Sequence, residues 1–295
     1  MSAKNFICPN GTQIPIEECL KGCPYGNSCM ARPTLFSLAQ GCKDRKLNKF
    51  SVTELIRGSR ESYLMKLYDY AIDPLSLTYS TFGTAVHRVQ ELAALKAQGI
   101  MTELRLENEI ATGQIDAYGH IFNNEDNVIC DYKVTTSYKA MKALGYGYHE
   151  EIEPTGEVYK TGTKKGQPKY RTTKVWHENG RRDVWEWTLQ QNFYRLLLEE
   201  AGFKVDGMYI QMLIRDFSTS MAEKRHIYKP IYVVKLNKIS DHWIRLYFKM
   251  KRTILEKALA TNTSPLPCSN RETWDGMKCQ NFCNVSAYCQ MGQAS

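Results

Sequence analysis

No stretch of this 295-residue chain approaches 18 consecutive apolar residues, so nothing in it reads as a membrane-spanning helix. The segment from Met1 to Pro9 lacks the apolar core of a secretory signal, and an intracellular setting is expected. There is no low-complexity tract. No Gly-x-x-x-x-Gly-Lys-Ser/Thr loop appears either, so any nucleotide-driven motor working with the chain has to be a separate protein. Acidic residues are the scarcer charge, 31 against 39 basic, and the net charge of +8 suits a polyanionic partner without requiring one. Hydrophobic residues make up 43%, enough for a substantial core.

The positive charge is unevenly spread. Between Thr155 and Arg182 eight basic residues (Lys160, Lys164, Lys165, Lys169, Arg171, Lys174, Arg181, Arg182) stand against Glu157 and Glu178. Tyr159, Tyr170 and Trp176 lie among them. Cations can meet phosphates while aromatic rings stack on unpaired bases. The same composition also describes a solvated hairpin with an ordinary charged surface.

Eight of the ten cysteines fall into two quartets with one spacing. Cys8, Cys19, Cys23 and Cys29 are 11, 4 and 6 positions apart, and so are Cys268, Cys279, Cys283 and Cys289. In an intracellular chain, clustered thiols more often bind metal than form disulfides. Thiolates suit zinc or an iron–sulfur cluster, and four of them leave no open coordination position, so a structural role is expected. Cys42 and Cys130 are left over. Cys130, within Val128-Ile129-Cys130, reads as a core residue.

Three regions follow. Residues 1–46 form a turn-rich, cysteine-bearing module with too little apolar mass to fold without metal. Residues 47–262 hold an α/β core, with residues 155–182 as a basic insertion. Residues 263–295 form a second cysteine-rich module. Within the core, Ser51 and Glu54 have the spacing of a capping box. A helix starting near Phe82 should turn Val86, Val89, Leu92 and Leu95 inward, with His87 beside that stripe. Strands are expected around Leu104–Leu106, over 114–121 and over 127–134, the last buried and central. A helix over 185–200, strands over 208–214 and 227–236, and a long helix from Ser240 complete the order α–β–β–β–α–β–β–α. This order gives helices covering a mixed central sheet.

The chemistry centres on Asp131-Tyr132-Lys133. Asp131 and Lys133 are two apart on a strand and face the same way, and Asp116 can reach that face from the neighbouring strand. With His87, these residues could hold Mg²⁺ or Mn²⁺, the imidazole favouring Mn²⁺. His87, Asp116, Asp131 and the Tyr132 carbonyl are the candidate ligands. Lys133 would orient or deprotonate a water, or neutralise a pentavalent phosphorane. Gln190 and Tyr194, four apart on one helix face, could position Lys133 or a phosphate. Alone, each piece is weak: an Asp-x-Lys pair is most often an exposed ion pair, and a helix histidine a core residue. Their joint order carries the reading.

That order resembles the PD-(D/E)xK nuclease superfamily, RecB-like branch, over roughly residues 50–290. The markers are a helix histidine (His87), Gly-x-x-Asp (Gly113 to Asp116), Asp-x-Lys (Asp131 to Lys133) and Gln-x-x-x-Tyr (Gln190 to Tyr194). The resemblance implies a restriction-endonuclease-like core and a divalent-metal-dependent DNA nuclease. More often than not such an enzyme is an exonuclease, acting on single strands or duplex ends in repair, recombination, CRISPR spacer acquisition or phage DNA processing. It implies a bacterial or phage-infected cytoplasm and a helicase or annealing protein as partner. The chain is similar to CRISPR-associated and AddB-like nucleases in which one upstream cysteine joins three near the C-terminus around a 4Fe–4S cluster. It departs from them in having a complete N-terminal quartet, and Cys268 ahead of the triplet Cys279, Cys283 and Cys289. Two separate four-thiolate sites, zinc or iron–sulfur, are therefore open beside one bridging cluster. A non-catalytic nucleic-acid-binding or scaffold subunit is the competing functional reading.

Overall fold

The run Val128-Ile129-Cys130, apolar on both faces, opens a strand whose first four residues are all buried. The computed structural model describes residues 3–42, 48–122 and 126–290. The chain begins with β1 (Ala3–Ile7), β2 (Gln13–Pro15), α1 (Ile16–Lys21), α2 (Arg32–Ala39), α3 (Val52–Ile56), α4 (Ser59–Leu67) and β3 (Tyr70–Ile72). Next come α5 (Thr78–Ala94), β4 (Ile100–Glu107), β5 (Thr112–Gly119), β6 (Val128–Thr135) and α6 (Ser137–Leu144). The long strands β7 (Tyr146–Val158) and β8 (Pro168–Glu178) precede α7 (Trp185–Glu200), β9 (Gly207–Ile214), α8 (Ser220–Lys224) and β10 (Ile231–Lys235). The described part closes with α9 (Asp241–Thr261), α10 (Asn270–Thr273) and α11 (Met277–Asn281).

Five strands hydrogen-bond in the order β10–β9–β6–β5–β4, giving a mixed α/β protein with a central sheet and helices. No helix among the described residues is long and apolar enough to cross a membrane. The chain divides into two units. One comprises Met1–Asp131, Glu186–Met208 and Asn237–Ser295, the other Tyr132–Trp185 and Tyr209–Leu236.

In the first unit, β1 pairs antiparallel with β2 and parallel with β3, with Phe6 opposite Ile72. Phe6, Leu35 and Leu38 are buried, so the N-terminal segment has apolar anchors besides its cysteines. The boundary expected at 46–47 lies outside the described residues, as does the chain from 291. Ser51 caps α3, its side chain accepting the Glu54 backbone N–H. α5 begins at Thr78 and has no buried residue. Its expected inward stripe is corrected: Val89, Leu92 and Leu95 are 63%, 46% and 75% exposed. The helix meets β4, β5 and α2, and Val86 and His87 are among its half-covered residues.

Helix α7 is the opposite case, with twelve of its sixteen residues buried. Its polar side chains hold the chain that leads into α9. Asn192 Nδ2 donates to the Asn237 carbonyl at 3.0 Å, and Asn192 Oδ1 accepts the Ile239 N–H at 2.8 Å. Arg195 pairs with Glu199 at 2.6 Å and Asp241 at 2.7 Å.

The second unit holds two features that sequence reading did not separate. Helix α6 was not foreseen. Asp216 accepts the Ser137 N–H at 2.6 Å and the Ser137 hydroxyl at 2.8 Å, so the helix start is capped from 79 residues away. The basic insertion is part of a longer hairpin that starts at Tyr146. Over Tyr146–Glu178 there are six Lys and Arg against five Glu. Lys169 pairs with Glu157, Arg171 with Glu153 and Lys174 with Glu150. Much of the basic charge is thus met within the hairpin. Lys160, Lys164 and Lys165 near its turn have no carboxylate partner among the described residues.

The Arg195 guanidinium hydrogen-bonded to Asp241 holds that carboxyl below the usual aspartate range. A depressed carboxylate contributes stability above its unfolded pKa and loses it as pH falls through the folded value. Urea unfolding between about pH 5 and pH 2 is expected to show wild type losing more stability than Asp241→Asn. Parallel curves would remove Asp241 as a source of acid sensitivity.

Candidate metal centre

Three carboxylates occupy one row of the sheet. β4 pairs with β5 so that Thr102 is opposite Ala117 and Leu104 opposite Ile115, which sets Glu103 opposite Asp116. β5 pairs with β6 through Ala117 and Cys130, and one step further along the two strands lie Asp116 and Asp131. Residues in one row of a sheet project to the same face. His87 comes to this face from α5, its Nδ1 at 3.5 Å from Asp116 Oδ2. One ligand atom from each of His87, Glu103 and Asp116 lies within 4.8 Å of the others, and among the described residues no other group of three does so.

Glu103 was absent from the sequence-based set. Leu104 stands opposite Ile115, so alternation puts Glu103 on the Asp116 face of β4 once the β4–β5 register is known. Its φ of +52° is a local departure from strand geometry, and Thr102, Glu103 and Leu104 are all half-buried in succession. A left-handed non-glycine residue inside a strand is costly and clusters at functional sites. The Gln114 amide donates to the Glu103 carboxylate and fixes its direction. The only signal in the sequence was a glutamate one strand upstream of Asp116. Like charges in adjacent strand positions repel, and one imidazole with two or three carboxylates is a donor set for Mn²⁺ or Mg²⁺.

Asp131 is 2% exposed, the most deeply buried of the three acids. Tyr132 and Lys133 continue β6 and are half-buried. Gln190 and Tyr194 meet as expected of positions four apart, the Gln190 amide donating to the Tyr194 hydroxyl at 3.0 Å. Gly113 explains how α7 reaches β5. A Cβ there would stand 2.8 Å from Tyr194 Cε1 and 2.9 Å from Leu197 Cδ1. The Gly-x-x-Asp and Gln-x-x-x-Tyr segments are therefore packed directly on each other.

The cysteines of each quartet line a cavity of their own. Cys268, Cys279, Cys283 and Cys289 line one cavity together with Arg60, Glu61 and Lys278. Cys8, Cys19, Cys23 and Cys29 line another with Ile14, Tyr25 and Leu35. No lining residue is shared, and among the described residues no cysteine is in a disulfide. Cys42 lines neither cavity, its Sγ 3.9 Å from the Leu38 carbonyl, and Cys130 is buried in the sheet. Burial pushes the Cys283 thiol up to about 11 and also raises Cys268, which the Glu61 backbone N–H partly offsets. Burial raises Cys19 too, with the neighbouring Cys8, Cys29 and Cys23 adding to it. Gly58 leaves room at the C-terminal cavity: a Cβ there would clash with Cys268 Sγ.

No protein-family model and no curated protein matches the chain. Among solved structures, the chain is similar to the crystal structure of SSO0001 at 14% identity, covering 88% of this chain and 93% of that one. The TM-score is 0.45, too low to carry a functional argument.

Two outcomes are expected. Mn²⁺ titration followed by calorimetry should show wild-type binding that Asp116→Asn and Glu103→Gln each weaken at least about tenfold, since each removes a charged ligand. Equal affinity in Glu103→Gln would exclude Glu103 as a ligand. Gly113→Ala should destabilise the fold by about 1–3 kcal/mol in denaturant unfolding, because the added methyl overpacks Tyr194 and Leu197.

Proposed function

We propose that this chain is a divalent-metal-dependent DNA nuclease of the PD-(D/E)xK kind, more an exonuclease than an endonuclease. The observation that carries the reading is the convergence of His87, Glu103 and Asp116 beside Asp131, at the start of an Asp-x-Lys segment. A divalent cation held by these residues would lower the pKa of a bound water and polarise a phosphoryl oxygen. Lys133, two residues beyond Asp131, is assigned to the attacking water and to the charge that builds on the phosphoryl oxygens. Water oxygen bonds to phosphorus, the P–O bond to the leaving nucleotide breaks, and the departing oxygen takes up a proton. Gln190 and Tyr194, held to each other at 3.0 Å, present a fixed neutral hydrogen-bonding pair for positioning. The C-terminal quartet is assigned a structural role.

The hairpin supports a nucleic-acid partner less strongly than its composition implied, because Glu150, Glu153 and Glu157 offset three of its cations. What remains for phosphates is the tip, where Lys164 lies 5.9 Å from the centre of the Tyr159 ring. A pure binding module would use this tip and leave the acids idle.

End-labelled single- and double-stranded DNA, incubated with Mg²⁺, Mn²⁺ or EDTA, tests the reading. Cleavage should need metal and fall at least about 100-fold in Lys133→Ala and Asp116→Ala, the scale of losing a proton-transfer group. Wild-type rates in Lys133→Ala would sink the mechanism. Salt-sensitive binding with no cleavage would favour the binding module. Replacing Lys160, Lys164 and Lys165 together by Ala should lower the slope of log K against log salt by roughly 2–3, near one unit for each phosphate no longer neutralised. An unchanged slope would remove the tip from the DNA-binding surface.

A further inference from the structure

We propose that the N-terminal quartet Cys8, Cys19, Cys23 and Cys29 is a self-contained site that holds an iron–sulfur cluster of its own, separate from whatever the C-terminal quartet binds. Three observations carry this. All four cysteines line one cavity, and none of Cys268, Cys279, Cys283 and Cys289 lines it. The quartet is therefore complete without a distant ligand, and Cys42 is not needed. Its spacing of 11, 4 and 6 is that of the other quartet, so the same reach around a bound group is available twice in one chain.

The third observation concerns the kind of metal. Around a single tetrahedral zinc with Zn–S bonds of about 2.3 Å, the sulfurs sit about 3.8 Å apart. Among the described residues no three cysteine sulfurs lie within 4.8 Å of one another. A four-iron cluster takes its four thiolates on separate irons and so needs them further apart. A cavity ringed by four such thiols, with Ile14, Tyr25 and Leu35 among its walls, has the form of a cradle for a polynuclear cluster.

The test uses the full chain purified anaerobically. Iron, acid-labile sulfide and zinc are measured per chain in wild type, in Cys19→Ser/Cys29→Ser and in Cys279→Ser/Cys289→Ser. Mass spectrometry of intact native wild type counts the bound clusters directly, so the result stands even if a variant fails to fold. Two clusters are expected on wild type. The N-terminal variant should lose about half of the iron and sulfide, as one of two Cys₄-ligated clusters would. Stoichiometric zinc that disappears in the N-terminal variant would overturn the cluster assignment. A single cluster on wild type, lost in both variants, would overturn the separation of the sites. Unchanged iron in Cys19→Ser/Cys29→Ser would overturn the N-terminal site altogether.

Discussion

The burial of α7 is the constraint on which the first unit depends. A helix covered along twelve of sixteen residues cannot leave its polar side chains to water. Asn192 and Arg195 therefore bind backbone and carboxylate groups at 237–241, which fixes where α9 begins. On another side the helix needs a strand without a side chain in its way, and Gly113 supplies it. From that contact Tyr194 takes its place, and from Tyr194 the Gln190 amide takes its direction. The placement of the Gln-x-x-x-Tyr pair is thus a packing consequence before it is a chemical one. Gln191, with neither amide atom hydrogen-bonded in the described structure, is the point where this satisfaction is incomplete.

The second ordering principle is the row Glu103, Asp116 and Asp131. Antiparallel pairing of β4, β5 and β6 leaves no freedom in which residues stand side by side once the register is set. Three acids in one row are unfavourable for the bare sheet and favourable for a sheet that meets a cation. On the proposed reading, the arrangement trades stability for a binding site.

Long, strongly patterned elements were legible in the sequence. α7 runs from Trp185 to Glu200, and Ser240 stands at the N-cap of α9, both where the pattern placed them. β6 was legible because a continuous apolar run has few other uses. The proximity of His87 and Asp116 followed from residue order on the expected elements. What stayed hidden depends on distant partners. α6 is capped by Asp216, far along the chain, and Glu103 stands beside Asp116 through a β4–β5 register that local patterning does not give. The exposure of Val89, Leu92 and Leu95 was hidden for a different reason. Periodicity identifies an apolar stripe, but how much of it a neighbour covers is a property of the packing. The sequence left the role of the basic insertion open because two of its counter-ions, Glu150 and Glu153, lie on the partner strand just outside the basic window.

The scant burial of α5 has a consequence for the centre it serves. A helix with no buried residue has little packing energy to resist local opening, so its opening equilibrium lies at the low-stability end of the molecule. Its His87 is the one donor of the three-residue group that does not come from the sheet. Any ion gripped by His87 together with Glu103 and Asp116 would tie this helix to β4 and β5. By linkage, ion affinity and the protection of α5 amides from solvent exchange would then be two readings of one equilibrium.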